Sequence, residues 1–408
     1  MSTAPARPAS SGVAPPDPFA PGRLGPLTLR NRFIKAATFE GATPRGAVTD
    51  ALVDFHRRVG AGGAAMTTVA YVAVSPEGRT DRHCLVAGDD PEVLRGLRRL
   101  AEAVHDTGAA VSAQLGHAGP VANPRSNRMP ALSPSRHVSP LGTVSRAATE
   151  ADVARITDDY AAAARRVVDA GFDALELHLG HNYLLSAFLS PKLNRRTDRY
   201  GGSVENRARF ARQVALAVRH AVGDGVAVTA KLNMADGVPG GLWLDDSVAV
   251  AALLEEDGAL DALTLTGGSS LANPMYLFRG EAPRREFAAT LPGPARLGFA
   301  LVGRRFMPDY PFEEAFFLPY ARQFRAALRL PLVLLGGINR LDTVQGALAE
   351  GFDFVAMARA LLRQPDLVTR LRDGAATESL CVHCNKCMPT IYSGTRCVLV
   401  TPAPPARP

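Results

Sequence analysis

Three segments of the chain obey one rule. "VVDAGFDALELHLG" (167–180), "LLEEDGALDALTLTGG" (253–268) and "ALAEGFDFVAMAR" (347–359) each stop a helical pattern at a glycine and enter a short apolar strand. That is the helix-to-strand half of a βα unit, in which glycine supplies the left-handed backbone that ends a helix. Read outward, the pattern gives eight β-like runs: "NRFIKAAT" from Asn31, "AMTTVAYVAV" from Ala65, "AVSAQLGH" from Ala110, "ALELHLG" from Ala174, "GVAVTAKLN" from Gly225, "ALTLTGG" from Ala262, "PLVLLGG" from Pro331 and "DFVAMAR" from Asp353. Helical patterns separate all of them. The clearest is "TEADVARITDDYAAAARRVVDAG", with Thr149 as N-cap, Asp152 completing a capping-box-like start and Gly171 ending it. Nearly continuous apolar strands alternating with amphipathic helices argue for an all-parallel sheet, and eight repeats argue for closure into a (β/α)8 TIM barrel of the α/β class. An open doubly wound sheet is the alternative, but no Gly-rich phosphate loop follows the first strand.

With 408 residues, 47% of them hydrophobic, length alone suits one big barrel or two to three smaller domains. The pattern favours a disordered arm over 1–22, a barrel over 23–375, a Cys-rich extension over 376–400 and a disordered tail over 401–408, "TPAPPARP". The arm lacks the apolar run of a secretory signal, and no stretch reaches the roughly 18 apolar residues that a membrane span requires. The expectation is a soluble, cytoplasmic protein without a membrane partner. Its formal charge is +7, yet it has only four lysines (Lys35, Lys192, Lys231, Lys386) and its arginines are scattered, which argues against nucleic acid as a partner. A homo-oligomer stays open.

Barrel chemistry sits at the C-terminal ends of the strands. Those ends carry Thr38, Gln114, His117, His178, His181, Lys231, Thr266, Gly336, Gly337 and Arg359. Two long connections leave the same face, 118–149 and 269–312, and loops of that length tend to shape a binding pocket. In "HLGHNYLLSAFLSP" the strand ends at His178, and His181 and Tyr183 follow in the loop, so all three can enter the barrel mouth. A lone histidine is more often structural, and a His-x-x-His zinc site would want a carboxylate that is missing at suitable spacing.

"HLGHNYLLSAFLSPKLNRRTDRYGGSVENRARF" resembles the signature of the old yellow enzyme family of FMN-dependent NAD(P)H:flavin oxidoreductases. The similarity continues through "NRFIKAAT", "QLGHAG", "TAKLN", "NPMYLFRG", "LLGGI" and "MARALLRQPD", over about residues 20 to 375. The resemblance implies FMN across the barrel mouth, with Ala36, Ala37 and Thr38 at the ring edge and Gln114 on its pyrimidine side. It implies Lys231 near N1 and O2, where a cation favours the reduced, anionic ring, and Gly336, Gly337, Ala358 and Arg359 at the phosphate. It further implies that His178 and His181 hold the oxygen of a small-molecule substrate while Tyr183 acts as acid; a phenol, ordinarily titrating near 10, is protonated at neutral pH. NAD(P)H is then the hydride donor and an α,β-unsaturated carbonyl compound the acceptor, in an ene-reductase reaction. The alternative is an amine or ring dehydrogenase that passes electrons to an external carrier protein.

Two departures from the family pattern stand out. Asn182 replaces a glycine, in a turn where asparagine tolerates positive φ, and Pro120 stands where "HAGR" is expected. Arg196, Asp198, Glu205, Asn206 and Arg207 are read as braces of the loop rather than substrate contacts.

"CVHCNKCMPTIYSGTRC" spaces Cys381, Cys384, Cys387 and Cys397 as Cys-x2-Cys-x2-Cys-x9-Cys, while Cys84 stands alone. Four clustered thiols in a large intracellular protein point to metal rather than disulfides. Zinc and an iron–sulfur cluster both suit four thiolates. The resemblance favours a [4Fe-4S] cluster, since larger relatives similar to dienoyl-CoA reductases and trimethylamine dehydrogenase carry one just after the barrel. Here the final spacing is shorter, and the chain lacks the further domains that feed that cluster, so the cluster would need an electron-donor or acceptor protein as partner or would be a structural remnant.

Overall fold

The computed structural model describes residues 16–139, 142–291 and 293–400. Eight parallel strands, β1 (Phe33–Phe39), β2 (Met66–Ala73), β3 (Ala110–Gly116), β4 (Ala174–Leu179), β5 (Ala227–Asn233), β6 (Ala262–Thr266), β7 (Leu332–Leu335) and β8 (Phe354–Met357), pair in chain order and close into a barrel. The helices that follow them are α1 (Asp50–Ala61), α2 (Pro91–His105), α3 (Glu150–Asp169), α4 (Val204–Val222), α5 (Leu244–Glu256), α6 (Leu318–Ala327), α7 (Leu341–Ala349) and α8 (Arg359–Arg363). All eight runs read from the sequence form strands. The capping box at Thr149 and Asp152 starts α3 as expected.

Alternation within the strands sorts side chains into two layers. On β4, Leu175, Leu177 and Leu179 join the apolar layer between strands and helices, together with Tyr160 and Val167 of α3. Ala174 points the other way, into an interior cluster with Ile34, Ala36, Ala227, Ala262 and Phe354. Glu176 and His178 share the parity of Ala174, so the same alternation that builds the core carries them up the inside of the barrel to its mouth. A hairpin, Gly22–Leu24 paired with Leu27–Leu29, inserts Leu24 and Leu29 into the interior cluster and closes the opposite end.

The arm assigned to 1–22 is corrected in part. Residues 1–15 lie outside the described residues, but the ring of Phe19 stacks on Phe33 at 5.4 Å, and Arg32 N donates to Pro18 O at 2.9 Å. One phenylalanine amid Ala, Pro and Ser is enough to dock the chain, and average composition hides it. Residues 401–408, read as a tail, also lie outside the described residues.

The connection after β3 forms a small sheet from Ala131–Ser133, His137–Val138 and Val144–Ala147. The one after β6 holds the helices Met275–Phe278, Arg284–Ala289 and Gly293–Phe306. The Cys-rich segment lies over the barrel mouth. Gly41 (φ +59°) admits it, because a Cβ there would sit 2.0 Å from Ile391 O, and Thr395 N donates to Glu40 O at 2.7 Å. Among the described residues no helix is long and apolar enough to cross a membrane.

Candidate active site

The strand ends converge on one cavity of about 850 Å3. Ala36, Ala37, Thr38, Gln114, His178, His181, Tyr183, Lys231, Thr266, Gly336, Gly337, Ala358 and Arg359 all line it, as does Pro120. His117 does not. It is buried below the β3 loop, where its Nδ1 accepts the Gly119 N–H at 3.0 Å and its Nε2 lies 3.9 Å from Glu77.

The polar floor is a triad that sequence reading saw only in part. Register sets His178 beside Lys231 and Gln114 beside Glu176. Glu176 accepts from Gln114 Nε2 at 2.8 Å and pairs with Lys231 Nζ at 3.0 Å, both ends of the pair being buried. Lys231 therefore meets the cavity as half of an ion pair. Glu176 was missed although its two-residue offset from His178 in an alternating strand marks it as inward-facing.

One wall is a chain of rings. His178 and His181 have centroids 5.1 Å apart, His178 and Tyr183 4.4 Å, and Tyr183 and Tyr71 5.3 Å at 87°. Tyr71, which sequence reading also missed, is fixed by donating to Gly78 O at 2.9 Å and accepting the Thr80 N–H at 2.7 Å. Two consecutive left-handed residues, His181 and Asn182 (both φ 60°), make the turn between His178 and Tyr183. Asparagine at 182 meets that need without glycine. Asn233 Oδ1 holds His181 N at 3.1 Å, and Thr266 Oγ1 lies 3.1 Å from His181 Nε2.

Both imidazoles are uncharged at neutral pH. Burial pushes His178 well below the usual histidine range, with His181 and Lys231 adding to the effect, and burial followed by Lys231 brings His181 down to about 3. His178 Nδ1 is buried and has no partner within the described residues. Such an orphan is costly unless a ligand completes it.

At the opposite side Gly336 and Gly337 (φ +109° and +76°) turn the chain against Phe316 and Phe317; a Cβ on Gly336 would meet Phe317 at 2.4 Å. Arg359 lines the cavity here, but its Nη1 donates to Arg279 O at 2.9 Å and to Asn385 Oδ1. Burial lowers its pKa, opposed by the neighbouring Cys381, Cys387 and Cys384. The long connections supply further lining, Val121 to Arg125 and Ser139, Gly142 to Val144 from one, and Leu277, Phe278, Phe287 and Phe306 from the other. Cys387, Met388, Ile391 and Thr395 also reach it from the extension, a contribution without a signal in the sequence.

The bracing role read for "RRTDRYGGSVENRARF" fits the contacts. Arg196 Nε holds Asp198 at 3.0 Å and its Nη1 the Pro134 carbonyl at 2.9 Å, while Arg207 Nε holds Leu189 O at 3.0 Å. Cys381, Cys384, Cys387 and Cys397 share a second, small cavity with Arg359, Arg363 and Asn385. Burial raises Cys381 and brings Cys387 up to about 12. Among the described residues no three His, Cys, Asp or Glu side chains are drawn together tightly enough to ligate a single ion. Cys84 is buried with its thiol 3.4 Å from Tyr71 O.

The model of the NADH:flavin oxidoreductase / NADH oxidase family matches residues 17–265. The chain belongs to that family. The flavin oxidoreductase is 61% identical over 386 residues to the 4,4'-dithiodibutanoate disulfide reductase of Rhodococcus erythropolis, covering 94% of this chain and 95% of the relative. It is 32% identical to the metal reductase of Desulforamulus reducens over 92% of its own length but only 52% of that protein, so it spans about half of this second relative. Among solved structures, morphinone reductase in complex with tetrahydroNAD is 25% identical with a TM-score of 0.72, covering 95% of this chain and 97% of that one. A flavin fits the residues present: the cavity lies within the usual 300–1,000 Å3 of small-molecule sites, and it offers an orphaned imidazole nitrogen and a buried ion pair at its floor.

Proposed function

We propose that this oxidoreductase reduces small electrophilic acceptors with NAD(P)H, the first class being α,β-unsaturated carbonyl compounds. When bound, FMN supplies the hydride chemistry, accepting from the nicotinamide and donating to the acceptor. The remaining work belongs to the chain. Gln114, Glu176 and Lys231 hold the polar end of the ring, Ala36, Ala37 and Thr38 its edge, and Gly336, Gly337, Ala358 and Arg359 the phosphate end. His178 and His181, being neutral, donate hydrogen bonds to the acceptor's carbonyl oxygen and draw electrons from its double bond. Tyr183 delivers a proton to the α-carbon, so that one hydride and one proton are added for each NAD(P)H consumed.

The observation that carries this reading is the packing of Tyr183 against His178 at 4.4 Å, which sets a proton donor beside a hydrogen-bonding imidazole on one wall of the cavity. The test is anaerobic. NADH or NADPH should bleach the bound flavin, and cyclohexenone should restore its colour; a reduced flavin indifferent to enones would refute the acceptor class.

A second acceptor class, organic disulfides, is favoured by the 61% identity to a disulfide reductase across nearly the whole of both chains. Its balance needs the same groups: a hydride to one sulfur releases the other as thiolate, which takes its proton from Tyr183. 4,4'-Dithiodibutanoate belongs beside the enone in the same titration. We further propose that Cys381, Cys384, Cys387 and Cys397 hold a [4Fe-4S] cluster rather than zinc. Their sharing of one cavity without close convergence suits four irons, which spread their ligands further apart than a single ion does. Iron and acid-labile sulfide in the purified protein test it.

A further inference from the structure

Lys35 is 2% exposed, yet it lies outside the barrel interior. It shares the parity of Phe33, which belongs with Leu52 and Val59 of α1 to the outer apolar layer, and its Nζ lies 4.9 Å from the ring of Phe55 on that helix. All three of its ammonium protons have acceptors: Glu40 Oε1 at 2.8 Å, Thr38 Oγ1 at 2.9 Å and Thr68 O at 3.3 Å. Glu40 is 4% exposed and also accepts the Ala70 N–H at 2.9 Å. His56 adds no charge to the group: burial, reinforced by Lys35, keeps it well below the usual histidine range, and its Nδ1 sits 2.7 Å from Thr67 Oγ1.

The contact with Thr38 is unexpected for a strand. Residues three apart on a regular strand face opposite sides, so the side chain of Lys35, toward α1, and that of Thr38, toward the cavity, should not meet. The pairing of β1 with β2 shifts register between Lys35 and Thr38, and an irregularity of this kind re-aims side chains. It is what lets an ammonium outside the barrel reach a hydroxyl at the cavity wall.

A hydroxyl has one proton to give and two lone pairs to fill. Because an ammonium has no acceptor, Thr38 Oγ1 must be the acceptor in its bond to Lys35. Its own proton has no acceptor among the described residues, and Thr38 lines the cavity. The hydroxyl is thereby oriented to donate outward and polarised by the charge behind it, the cooperative strengthening expected of linked hydrogen bonds at low dielectric.

We propose that Lys35 is a positioning residue for the flavin: acting through Thr38, it fixes a strengthened hydrogen-bond donor at the ring edge and raises the midpoint potential of the bound FMN. The proposal rests on the reading that FMN occupies this cavity with its edge at Thr38. Glu40 keeps the buried ammonium in place, and the irregular register supplies the geometry. A donor at an edge that gains electrons on reduction stabilises the reduced ring more than the oxidised one.

The test is a double-variant cycle on the holoenzyme, read as the FMN midpoint potential and visible spectrum. Lys35→Met is made together with Glu40→Gln so that no charge is left buried alone, and Glu40→Gln by itself is the control that keeps the cation. In the Thr38 background, loss of Lys35 should lower the equilibrium constant for flavin reduction about tenfold, or about 30 mV for a two-electron couple. In the Thr38→Val background the same loss should change it less than twofold. Equal shifts in both backgrounds would mean a charge acting through space and would overturn the relay, as would no shift in either. Protein that purifies without flavin and takes up no added FMN would overturn both this proposal and the reading beneath it, a result distinct from intact flavin with an unmoved potential. Should the paired variant fail to fold, Lys35→Arg, which keeps the charge but not the compact ammonium, must shift the potential with Thr38 present and spare it in Thr38→Val.

Discussion

The side-chain amide of Asn385, set among the cysteines, donates to the backbone carbonyl of Arg279 at 3.0 Å. It also donates to Glu281 O at 3.0 Å and accepts from Arg359. The guanidinium of Arg279 in turn faces the rings of Tyr276, Tyr310 and Phe316 at 5.4, 5.6 and 5.0 Å, and Phe316 lines the cavity. The Cys-rich segment thus pins the connection after β6 against the active site. Asn385→Ala removes two donors and an acceptor from a buried node, at about 1–3 kcal/mol. Its melting temperature should fall by several degrees and its KM for the acceptor should rise, while the spectrum of bound flavin stays put. Thermal melts and steady-state kinetics check both, and an unchanged KM would detach the extension from substrate binding.

Tyr183→Phe keeps the ring that packs on His178 and Tyr71 and removes the phenolic hydroxyl. In the proposed reaction, reduction of the flavin by NAD(P)H needs no proton from the wall of the site, whereas protonation of the acceptor does. Stopped-flow rates should therefore split: the nicotinamide half-reaction within about threefold of wild type, the enone half-reaction slower by about 10²–10⁴. Equal loss in both would remove Tyr183 as the acid.

Much of this site was legible in the strands and little of it in the loops. Thr38, Gln114, His178, Lys231, Gly336 and Arg359 were placed because a barrel strand presents its end to the mouth, so position in the repeat fixes position in space. Glu176 obeys the same rule one step deeper, two residues before His178 on the inward face of β4. Phe306, Phe316 and Ile391 are different. Each is brought in by a connection whose path depends on tertiary contacts, such as the close approach of Ile391 to Gly41, and no periodicity encodes that. His117 shows the converse error, since a residue just past a strand end can turn beneath the loop and serve it structurally. The contact between Lys35 and Thr38 was hidden for a related reason, as a regular strand would have kept the two apart.

Lys231 and Glu176 form a buried pair, 2% and 8% exposed at the side chain. Removing one partner strands the other in a poorly solvated site, at about 3–5 kcal/mol, whereas removing both charges is nearly neutral. Lys231→Met should lower the free energy of unfolding in urea at pH 7 by about that amount, softened by the hydrogen bond from Gln114. Lys231→Met with Glu176→Gln should recover most of it. Failure of the second change to restore stability would show that Glu176 is not the group left unpaired.

The neutral histidines make a prediction about acid. In the folded protein His181 titrates at about 3, held down by burial and by Lys231, while in the unfolded chain it titrates near 6.5. The unfolded state therefore binds the extra proton, and stability must rise with pH across that window. Above pH 6.5 the residue adds no pH dependence. Between pH 6.5 and 5 it should cost roughly 2 kcal/mol, and the loss should continue toward pH 3, where the folded form also protonates. His178, shifted in the same direction by burial, steepens the slope. Urea unfolding at pH 7.5 and pH 5 compares wild type with His181→Gln, and the variant should be less sensitive to acid by about that 2 kcal/mol. Identical slopes would mean that the imidazole of His181 titrates alike in the folded and unfolded states, so that burial and Lys231 do not hold it down.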